Sequence, residues 1–226
     1  MAISFVSNLL VLSQNCPAIA VANPLGGTDH QIAAWFHSRL TQTFADFLGA
    51  LSGPGSGVWI GIVLACAVLV LAWKRHWATL STMVLAVPGG MLLNELLKAT
   101  VQRQRPFIAG PFVDWSGYSF ASGHTIGATL LYGWLVMAFL PRIKETRARM
   151  AAILAAMTLI LLVGFSRIAL GAHYLSDVLA AMIFGGLWLA LCLSASEMLR
   201  RKFSRSAQPV RIPRSDVEFV APRDDR

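Results

Sequence analysis

The stretch GVWIGIVLACAVLVLAW, residues 57–73, contains no charged side chain. It is long enough to cross the hydrocarbon core of a bilayer, which takes about 17–25 residues of helix. Backbone groups inside lipid must find hydrogen-bond partners within their own segment, so the stretch is predicted to be a transmembrane helix and not a strand. Four further apolar stretches of similar character follow, at residues 77–97, 120–140, 150–165 and 174–195.

The composition of the whole chain agrees with a membrane location. Of its 226 residues, 56% are hydrophobic and 13% are charged, and the mean hydropathy is +0.61. A soluble globular domain carries about 25% charged residues, and disorder requires low hydrophobicity, so both classes are excluded. We predict an all-α polytopic membrane helix bundle with five clear transmembrane helices and a weaker N-terminal one.

Residues 1–22 form the weaker apolar stretch. Asn15, Cys16 and Pro17 interrupt it. A secretory leader requires basic residues before its apolar part, and none precedes this stretch. We expect a retained spanning or membrane-inserted helix here. The alternatives are a cleaved leader, with its cleavage site among the small residues at 18–22, and a wrongly assigned start codon.

The connector at residues 23–56 carries an amphipathic pattern. Between Thr28 and Gly49, apolar residues recur every three to four positions, whereas Asp29 and other polar residues fall elsewhere. This spacing predicts one helix, with Thr28 or Asp29 as its N-cap and Gly49 as its stop signal. The helix either lies in the membrane interface beside a substrate entrance or is an ordinary packed connector.

The net charge of +8 comes mainly from basic residues in two loops and in the tail. Basic loops stay in the cytoplasm, and this rule sets the orientation of the chain. The basic segments predicted to be cytoplasmic are residues 74–76, 141–149 and 200–226. The segments then predicted to be extracytoplasmic are residues 23–56, 98–119 and 166–173.

The same distribution of charge divides the chain into a membrane part and a tail. Residues 1–199 are expected to form the membrane-embedded domain, and residues 200–226 a disordered, basic cytoplasmic extension rich in Arg, Ser and Pro. Since the basic charge is explained by topology, we expect no nucleic-acid partner. The three cysteines have no spacing typical of a disulfide framework or a thiolate metal site, so we interpret them as packing residues.

The extracytoplasmic segments should be poor in Lys and Arg, yet they hold a group of ionisable residues near helix ends. These are Lys98, Arg103, Arg105, His124, Arg167, His173 and Asp177. Ionisable side chains at or inside membrane helices are costly, so their default interpretation is functional. Cations from separate loops would form an anion site, and the planar fork of Arg suits phosphate. Taken singly, each could instead snorkel to head groups or staple a helix.

Two local patterns add chemistry to this anion site. Ser122 could cap a helix whose free N–H groups point at an anion, and Gly123 would let the backbone approach a phosphate oxygen. Asp177 follows His173 by one helical turn, so it could accept a hydrogen bond from one imidazole nitrogen and leave the other unprotonated and nucleophilic. His124 would then be free to donate a proton.

These residues stand in three blocks, KATVQRQRP at 98–106, SGH at 122–124 and SRIALGAHYLSD at 166–177. The blocks and their order resemble the three-part motif of the type 2 phosphatidic acid phosphatase (PAP2) superfamily, in its membrane branch. One position departs from the pattern, because Ala121 stands where the family usually has Pro. Membrane members of this family usually have six helices.

The resemblance implies a catalytic mechanism without metal or cofactor, through a phosphohistidine intermediate. His173 would attack phosphorus, Asp177 would orient it and stabilise its developing charge, and His124 would protonate the leaving oxygen. The residues that would hold the phosphate oxygens are Lys98, Arg105, Ser122, Gly123 and Arg167. The chain also shows no cluster of carboxylates with the spacing of metal ligands, so these cations would replace Mg²⁺.

The function implied is an integral lipid phosphatase of the cell (inner) membrane, with its active site extracytoplasmic and its C-terminus cytoplasmic. It would hydrolyse a phosphomonoester or diphosphate of a membrane lipid, of the undecaprenyl diphosphate or phosphatidylglycerophosphate type. A lipid phosphotransferase that uses the same phosphoenzyme is one alternative. A transporter with a basic vestibule is another, although it predicts ionisable residues throughout the spans, and few occur there. Glu95 is one of them, and we expect it to pair with Lys98.

Overall fold

The computed structural model describes residues 25–107 and 115–206, with side chains described through residue 202. Within these ranges the chain forms helices joined by turns, without any β-strand. The α-helices of this part of the chain are α1 (Gly26–His37), α2 (Gln42–Ser52), α3 (Gly57–Trp73), α4 (Trp77–Val101), α5 (Gly123–Phe139), α6 (Thr146–Ala169) and α7 (Leu175–Ser206). The predicted all-α fold is confirmed.

Five helical stretches of the described ranges are long and apolar enough to cross a membrane. They are Gln42–Trp73, Trp77–Val101, Gly123–Arg142, Thr146–Ala169 and Leu175–Lys202. The five clear transmembrane helices predicted from the sequence are therefore confirmed. The first stretch is composite, because α2 continues through a short 3-10 turn into α3. The weaker N-terminal helix expected at residues 1–22 lies outside the described residues.

The connector differs from its prediction, because it forms two helices and not one. α1 ends at His37 and α2 begins at Gln42, so the predicted single helix from Thr28 to Gly49 is wrong. The break comes at Thr41, whose backbone is extended and whose hydroxyl accepts a hydrogen bond from the N–H of Phe44 at 3.4 Å. A capping side chain starts a new helix even where the apolar spacing runs on.

The C-terminal end of the bundle also differs from its prediction. α7 continues to Ser206, so residues 200–206 are helical and not disordered. Glu197 explains part of this extension, because its carboxylate pairs with Arg200 at 2.9 Å and with Arg201 at 2.8 Å, three and four residues later. Such pairs support a helix beyond its apolar part. The rest of the predicted tail, from residue 207, lies outside the described residues.

α5 is the central helix, and it packs against α4, α6 and α7. Its side chains supply much of the main core, together with residues of α3, α4 and α7. Small residues allow this close packing. A Cβ at Gly90 of α4 would come within 2.9 Å of the Trp188 ring of α7, so only glycine permits this approach. The indole N–H of Trp188 donates to the carbonyl of Ala86 at 3.1 Å.

A second, smaller core fixes the connector over one end of the bundle. Ala45 and Leu48 of α2 pack against Ala169 and Leu170 at the end of α6, and all four are buried. Trp115 packs against the same cluster. The connector is therefore a packed part of the fold at the end of the bundle where the sequence motifs lie.

Candidate active site

The three sequence motifs meet at one end of the bundle. The first covers the last turn of α4 and the segment after it, the second the start of α5, and the third the end of α6 and the turn into α7. Contacts between motifs bring these ends together. The predicted site residues gathered here are Lys98, Arg105, Ser122, Gly123, His124, Arg167, His173 and Asp177.

His173 lies at the centre of this cluster, with 3% of its surface exposed. Its Nδ1 lies 2.7 Å from the backbone oxygen of Ser119, and because a carbonyl can only accept, Nδ1 carries the hydrogen. Nε2 is then the unprotonated nitrogen, and it lies 3.4 Å from Nη1 of Arg105. Burial, followed by the charges of Arg105 and Arg167, holds the pKa of His173 well below 6.5. The imidazole is therefore neutral at pH 7, with a free electron pair on Nε2.

The direct hydrogen bond expected between His173 and Asp177 is absent. Nδ1 and Oδ2 are 3.9 Å apart, which is too long for a hydrogen bond. The prediction was wrong because His173 precedes the first turn of α7, so helical spacing does not apply to it. Asp177 accepts from the hydroxyl of Ser119 and from the N–H of Tyr174 at 3.0 Å. The carboxylate thus positions Ser119, whose carbonyl holds the imidazole.

Arg103 does not join the cluster formed by Lys98, Arg105 and Arg167, because two carboxylates bind it. Nη1 lies 2.6 Å from Oδ1 of Asp177, and Nη2 lies 2.9 Å from Oδ2 of Asp29. Asp29 also accepts from the N–H of Ser176 at 3.0 Å. Asp29 is fully buried within α1, and Leu25 is the N-cap of this helix, so the predicted N-cap at Thr28 or Asp29 is wrong. It links the connector to the start of α7.

The start of α5 is open toward the cations. Ser122 takes the N-cap position, as predicted, but its side chain makes no capping hydrogen bond and accepts instead from the hydroxyl of Thr125 at 3.0 Å. The first N–H groups of a helix lack partners within the helix. A Cβ at Gly123 would lie 3.4 Å from Nζ of Lys98, so the first residue of α5 lies directly beside this ammonium. Lys98 pairs with Glu95 at 2.8 Å, which confirms that expectation.

Arg105 and Arg167 are held in ways that leave donors available. Arg105 donates from Nη1 to the carbonyl of Ala172 at 2.9 Å. Arg167 is 4% exposed, and its guanidinium lies 4.5 Å from the ring centroid of Trp115. Its contact with the hydroxyl of Ser52 is long, at 3.5 Å, and its Nε has no hydrogen-bond partner among the described residues. An aromatic face holds a cation without using its N–H groups.

His124 is the second residue of α5 and is half-buried. The charges of Arg167, Lys98 and Arg105 all act on it. It therefore stands at the same helix end as Gly123, in the field of the three cations that surround His173. The structure brings the two predicted histidines together with the predicted phosphate ligands.

The charge of the site is provided by basic side chains. In the ranges 25–107 and 115–206, no group of three or more His, Cys, Asp or Glu residues is arranged to hold a metal ion. Asp29 and Asp177 are both bound by Arg103, and Glu95 pairs with Lys98, so each of these carboxylates already has a basic partner. The expectation that catalysis needs no metal stays a prediction.

The profile of the PAP2 superfamily matches residues 77–201, which is more than half of the chain. The chain belongs to the PAP2 superfamily. The match runs from the start of α4 into α7 and so contains all three motifs. Together with the five spans, it identifies the molecule as an integral PAP2 membrane protein, which confirms the family resemblance.

Two curated relatives of this PAP2 protein have names that describe phosphatases of lipid phosphates. Phosphatidylglycerophosphatase B of Bacillus subtilis (strain 168) is 33% identical over 132 residues, covering 57% of this chain and 63% of the relative. Lipid A 1-phosphatase of Rhizobium etli is 35% identical over 109 residues, covering 44% of this chain and 42% of the relative. The chain thus spans less than two thirds of the length of these relatives.

Two solved structures share the fold of this PAP2 protein. A transmembrane PAP2-type phosphatidylglycerolphosphate phosphatase from Bacillus subtilis superposes with a TM-score of 0.68 at 22% identity, over 92% of this chain and 98% of that one. LpxE of Aquifex aeolicus gives a TM-score of 0.56 at 20% identity, over 79% and 99%. At these identities the likeness establishes a common fold.

Four residues of the site went unnoticed, or were misassigned, in the sequence: Asp29, Arg103, Trp115 and Ser119. Arg103 was grouped with the anion site because it lies beside Arg105, and its pairing with Asp29 joins residues far apart in sequence. Ser119 acts through its backbone carbonyl, for which no side-chain pattern exists. The one indication in the sequence was Asp29, an acidic residue among the apolar positions of the connector, for which a functional or structural partner could have been expected.

Asp29→Asn is expected to lower kcat by about 10–100-fold and to leave KM within about two-fold. The substitution removes the charge that holds Arg103, which loosens Asp177, Ser119 and finally His173, and small misplacements of a reacting group cost this much. Steady-state kinetics on a soluble aryl phosphate measures both constants. The matched control is Asp46→Asn, an exposed carboxylate of α2 that binds Gln42, and it should change neither. Equal kcat values for Asp29→Asn and wild type would contradict the positioning role.

Proposed function

We propose that this PAP2 protein is a membrane lipid phosphatase that hydrolyses a phosphomonoester or diphosphate through a phosphohistidine at His173. The observation that carries the proposal is the state of its imidazole. Nδ1 is held by the carbonyl of Ser119, and the free Nε2 faces Arg105 in a cluster of cations at the start of α5. Attack on a phosphate requires a neutral nucleophile beside positively charged groups that bind the phosphate oxygens.

In the first step, Nε2 of His173 forms a bond to phosphorus while the bond from phosphorus to the lipid oxygen breaks. His124 donates a proton to that departing oxygen. The remaining oxygens carry the developing charge, and Lys98, Arg105 and Arg167 neutralise it together with the N–H groups at the start of α5. Preorganised donors of this kind usually make the largest contribution to catalysis.

In the second step, water attacks the phosphohistidine. His124, now neutral, takes a proton from the water, the bond between nitrogen and phosphorus breaks, and inorganic phosphate leaves. Asp177 positions His173 indirectly, by holding Ser119. Its negative charge also stabilises the positive charge that His173 carries while phosphorylated. The low pKa of free His173 favours the return of the neutral imidazole after each turnover.

The names of the curated relatives support a lipid phosphate as the substrate, and the first to test is phosphatidylglycerophosphate. Lipid A phosphate is supported by the Rhizobium relative, and undecaprenyl diphosphate stays compatible with the same chemistry. In each case the site residues would bind the phosphate, and the acyl or prenyl chains would stay between the helices or in the bilayer. The site chemistry is common to all of these substrates.

Release of inorganic phosphate from a panel of lipid phosphates, with purified protein in detergent, tests the proposal. We expect release to continue in excess EDTA, because side chains supply the positive charge, and vanadate to inhibit by imitating pentacoordinate phosphorus. A denatured sample and a His173→Ala sample are the controls. Loss of activity on chelation, restored by Mg²⁺, would contradict this mechanism. Transfer of phosphate to a second lipid without release of inorganic phosphate would identify a phosphotransferase.

We further propose that the site faces away from the cytoplasm and that the C-terminus is cytoplasmic. In a cysteine-free background, Ser116→Cys, beside the site, should react with an impermeant thiol reagent in intact cells. Thr146→Cys, at the first residue of α6 and next to the basic loop that precedes it, should react only after lysis. Both positions are exposed, which makes them a matched pair. The reverse labelling pattern would place the site in the cytoplasm.

A further inference from the structure

Asn94 is a buried polar residue that the mechanism above leaves unused. It lies in α4, one turn before Lys98, and its relative exposure is 0%. Within the described part of the chain, neither Nδ2 nor Oδ1 of its amide has a hydrogen-bond partner. Native proteins rarely leave both polar atoms of a buried side chain unsatisfied, so such a group calls for a physical explanation.

The position of Asn94 along α4 shows that this polar side chain lies on the buried face of the helix. The buried residues Met83, Val87 and Gly90 precede it at helical spacing, so Asn94 continues the face that packs into the core. An apolar side chain there would avoid the cost of an unpaired amide. Inside a membrane helix a polar side chain on the bundle-facing side is a candidate for function, and the natural place to look is the neighbouring helix.

That neighbour is the open start of α5. A Cβ placed on Gly123 would lie 3.5 Å from Nδ2 of Asn94 and 3.4 Å from Nζ of Lys98. The amide and the ammonium therefore converge on one point beside the first residue of α5. The helix start alone would not define a ligand position, but a fully buried amide that has no hydrogen-bond partner in residues 25–107 and 115–206, and that lies next to this helix start, is independent support for one.

We propose that Asn94 is a further substrate-binding residue that contacts the transferred phosphoryl group next to Lys98. Nδ2 donates to a phosphoryl oxygen, and Oδ1 accepts from a hydroxyl of the same group when that group is singly protonated. A singly protonated phosphate carries both an acceptor and a donor, which match the two unpaired atoms of one amide. This inference rests on the proposed phosphatase function and adds a residue outside its three motifs.

The test compares Asn94→Leu and Asn94→Asp with wild type for inhibition by vanadate and by inorganic phosphate. Asn94→Leu has similar volume and removes the unpaired atoms, so its melting temperature should equal or exceed that of wild type. Its inhibition constant for vanadate should nevertheless rise by about 10–100-fold, the loss expected for a hydrogen bond to a charged group. Asn94→Asp is isosteric and places a negative charge against the phosphate, so its loss should be larger still.

Thr82→Val is the matched control on the same helix. Thr82 is also buried, but its hydroxyl is satisfied by the carbonyl of Ala78 and the hydroxyl of Ser196, each at 2.8 Å. Its substitution should lower the melting temperature and leave the vanadate constant unchanged. The two positions thus predict opposite patterns, with ligand affinity lost at Asn94 and stability lost at Thr82.

The outcomes separate this inference from the function on which it rests. If wild type hydrolyses lipid phosphates while Asn94→Leu and Asn94→Asp keep its vanadate constant, the inference is overturned and the function stands. An unchanged vanadate constant with a raised KM for the lipid would also overturn it, because Asn94 would then contact the organic part of the substrate. A wild-type protein that neither hydrolyses lipid phosphates nor responds to vanadate would overturn both.

Discussion

His173→Ala is expected to reduce turnover of every phosphoester by on the order of 10⁴-fold or more, because it removes the nitrogen that we propose attacks phosphorus. The loss should be independent of the leaving group, since a nucleophile is needed whatever departs. Initial rates on a lipid phosphate and on a nitrophenyl phosphate measure it. The melting temperature of the variant serves as a control that the bundle is intact.

His124→Ala provides the contrast for that result. A general acid is worth about 10²–10⁴-fold, and its value grows with the basicity of the departing oxygen. A lipid alkoxide leaves poorly without a proton, whereas nitrophenolate leaves readily as the anion. His124→Ala should therefore lose far more activity on the lipid than on the aryl phosphate. If His173→Ala showed this dependence and His124→Ala did not, the two assignments would be exchanged.

Arg167→Lys is expected to lower kcat/KM by about 10²–10³-fold, although it keeps the positive charge. Arg167 is buried against Trp115, and its Nε has no hydrogen-bond partner among the residues that the structure describes, so its planar guanidinium can donate to two phosphate oxygens. An ammonium cannot reproduce that geometry, and loss of one preorganised donor in a catalytic site costs this much. Kinetics with an aryl phosphate gives the value.

Arg39→Lys is the matched control for this prediction. Arg39 also lies over an indole, that of Trp35 at 4.3 Å, but its side chain is exposed and its hydrogen bonds go to Trp35 and Ser38. The same substitution there should leave kcat/KM unchanged. Full activity of Arg167→Lys would show that only its charge matters, and would contradict the role of the guanidinium fork.

The fold class could be predicted from the sequence because the bilayer restricts which secondary structures an apolar stretch can form. Stretches such as residues 57–73 are too long and apolar for any element except a spanning helix. The boundaries were less predictable where a polar side chain competes with the apolar pattern. Thr41 caps a new helix within a continuous apolar face, and the ion pairs of Glu197 extend α7 past its apolar end.

The candidate site also has a part that could be predicted from the sequence and a part that could not. The residues proposed to bind the phosphate were predictable, because the basic side chains of Lys98, Arg105 and Arg167 are costly near a membrane and so indicate a functional role. The residues that position them were not, because their contacts join distant parts of the chain or use backbone atoms. The carbonyl of Ser119 holds His173, and Asp29 anchors Arg103 from the connector. No local pattern contains either contact.

Rapid chemical quench with a phosphorus-32-labelled substrate tests the central proposal most directly, because it detects the covalent intermediate. The expected result is a labelled protein whose phosphate is stable in base and labile in acid, as a phosphohistidine is, with the label on the peptide that contains His173. His173→Ala should trap no label, whereas His124→Ala, tested with an aryl phosphate, should retain it. Label that persists in His173→Ala, or turnover of wild type without any trapped phosphoenzyme, would contradict the account.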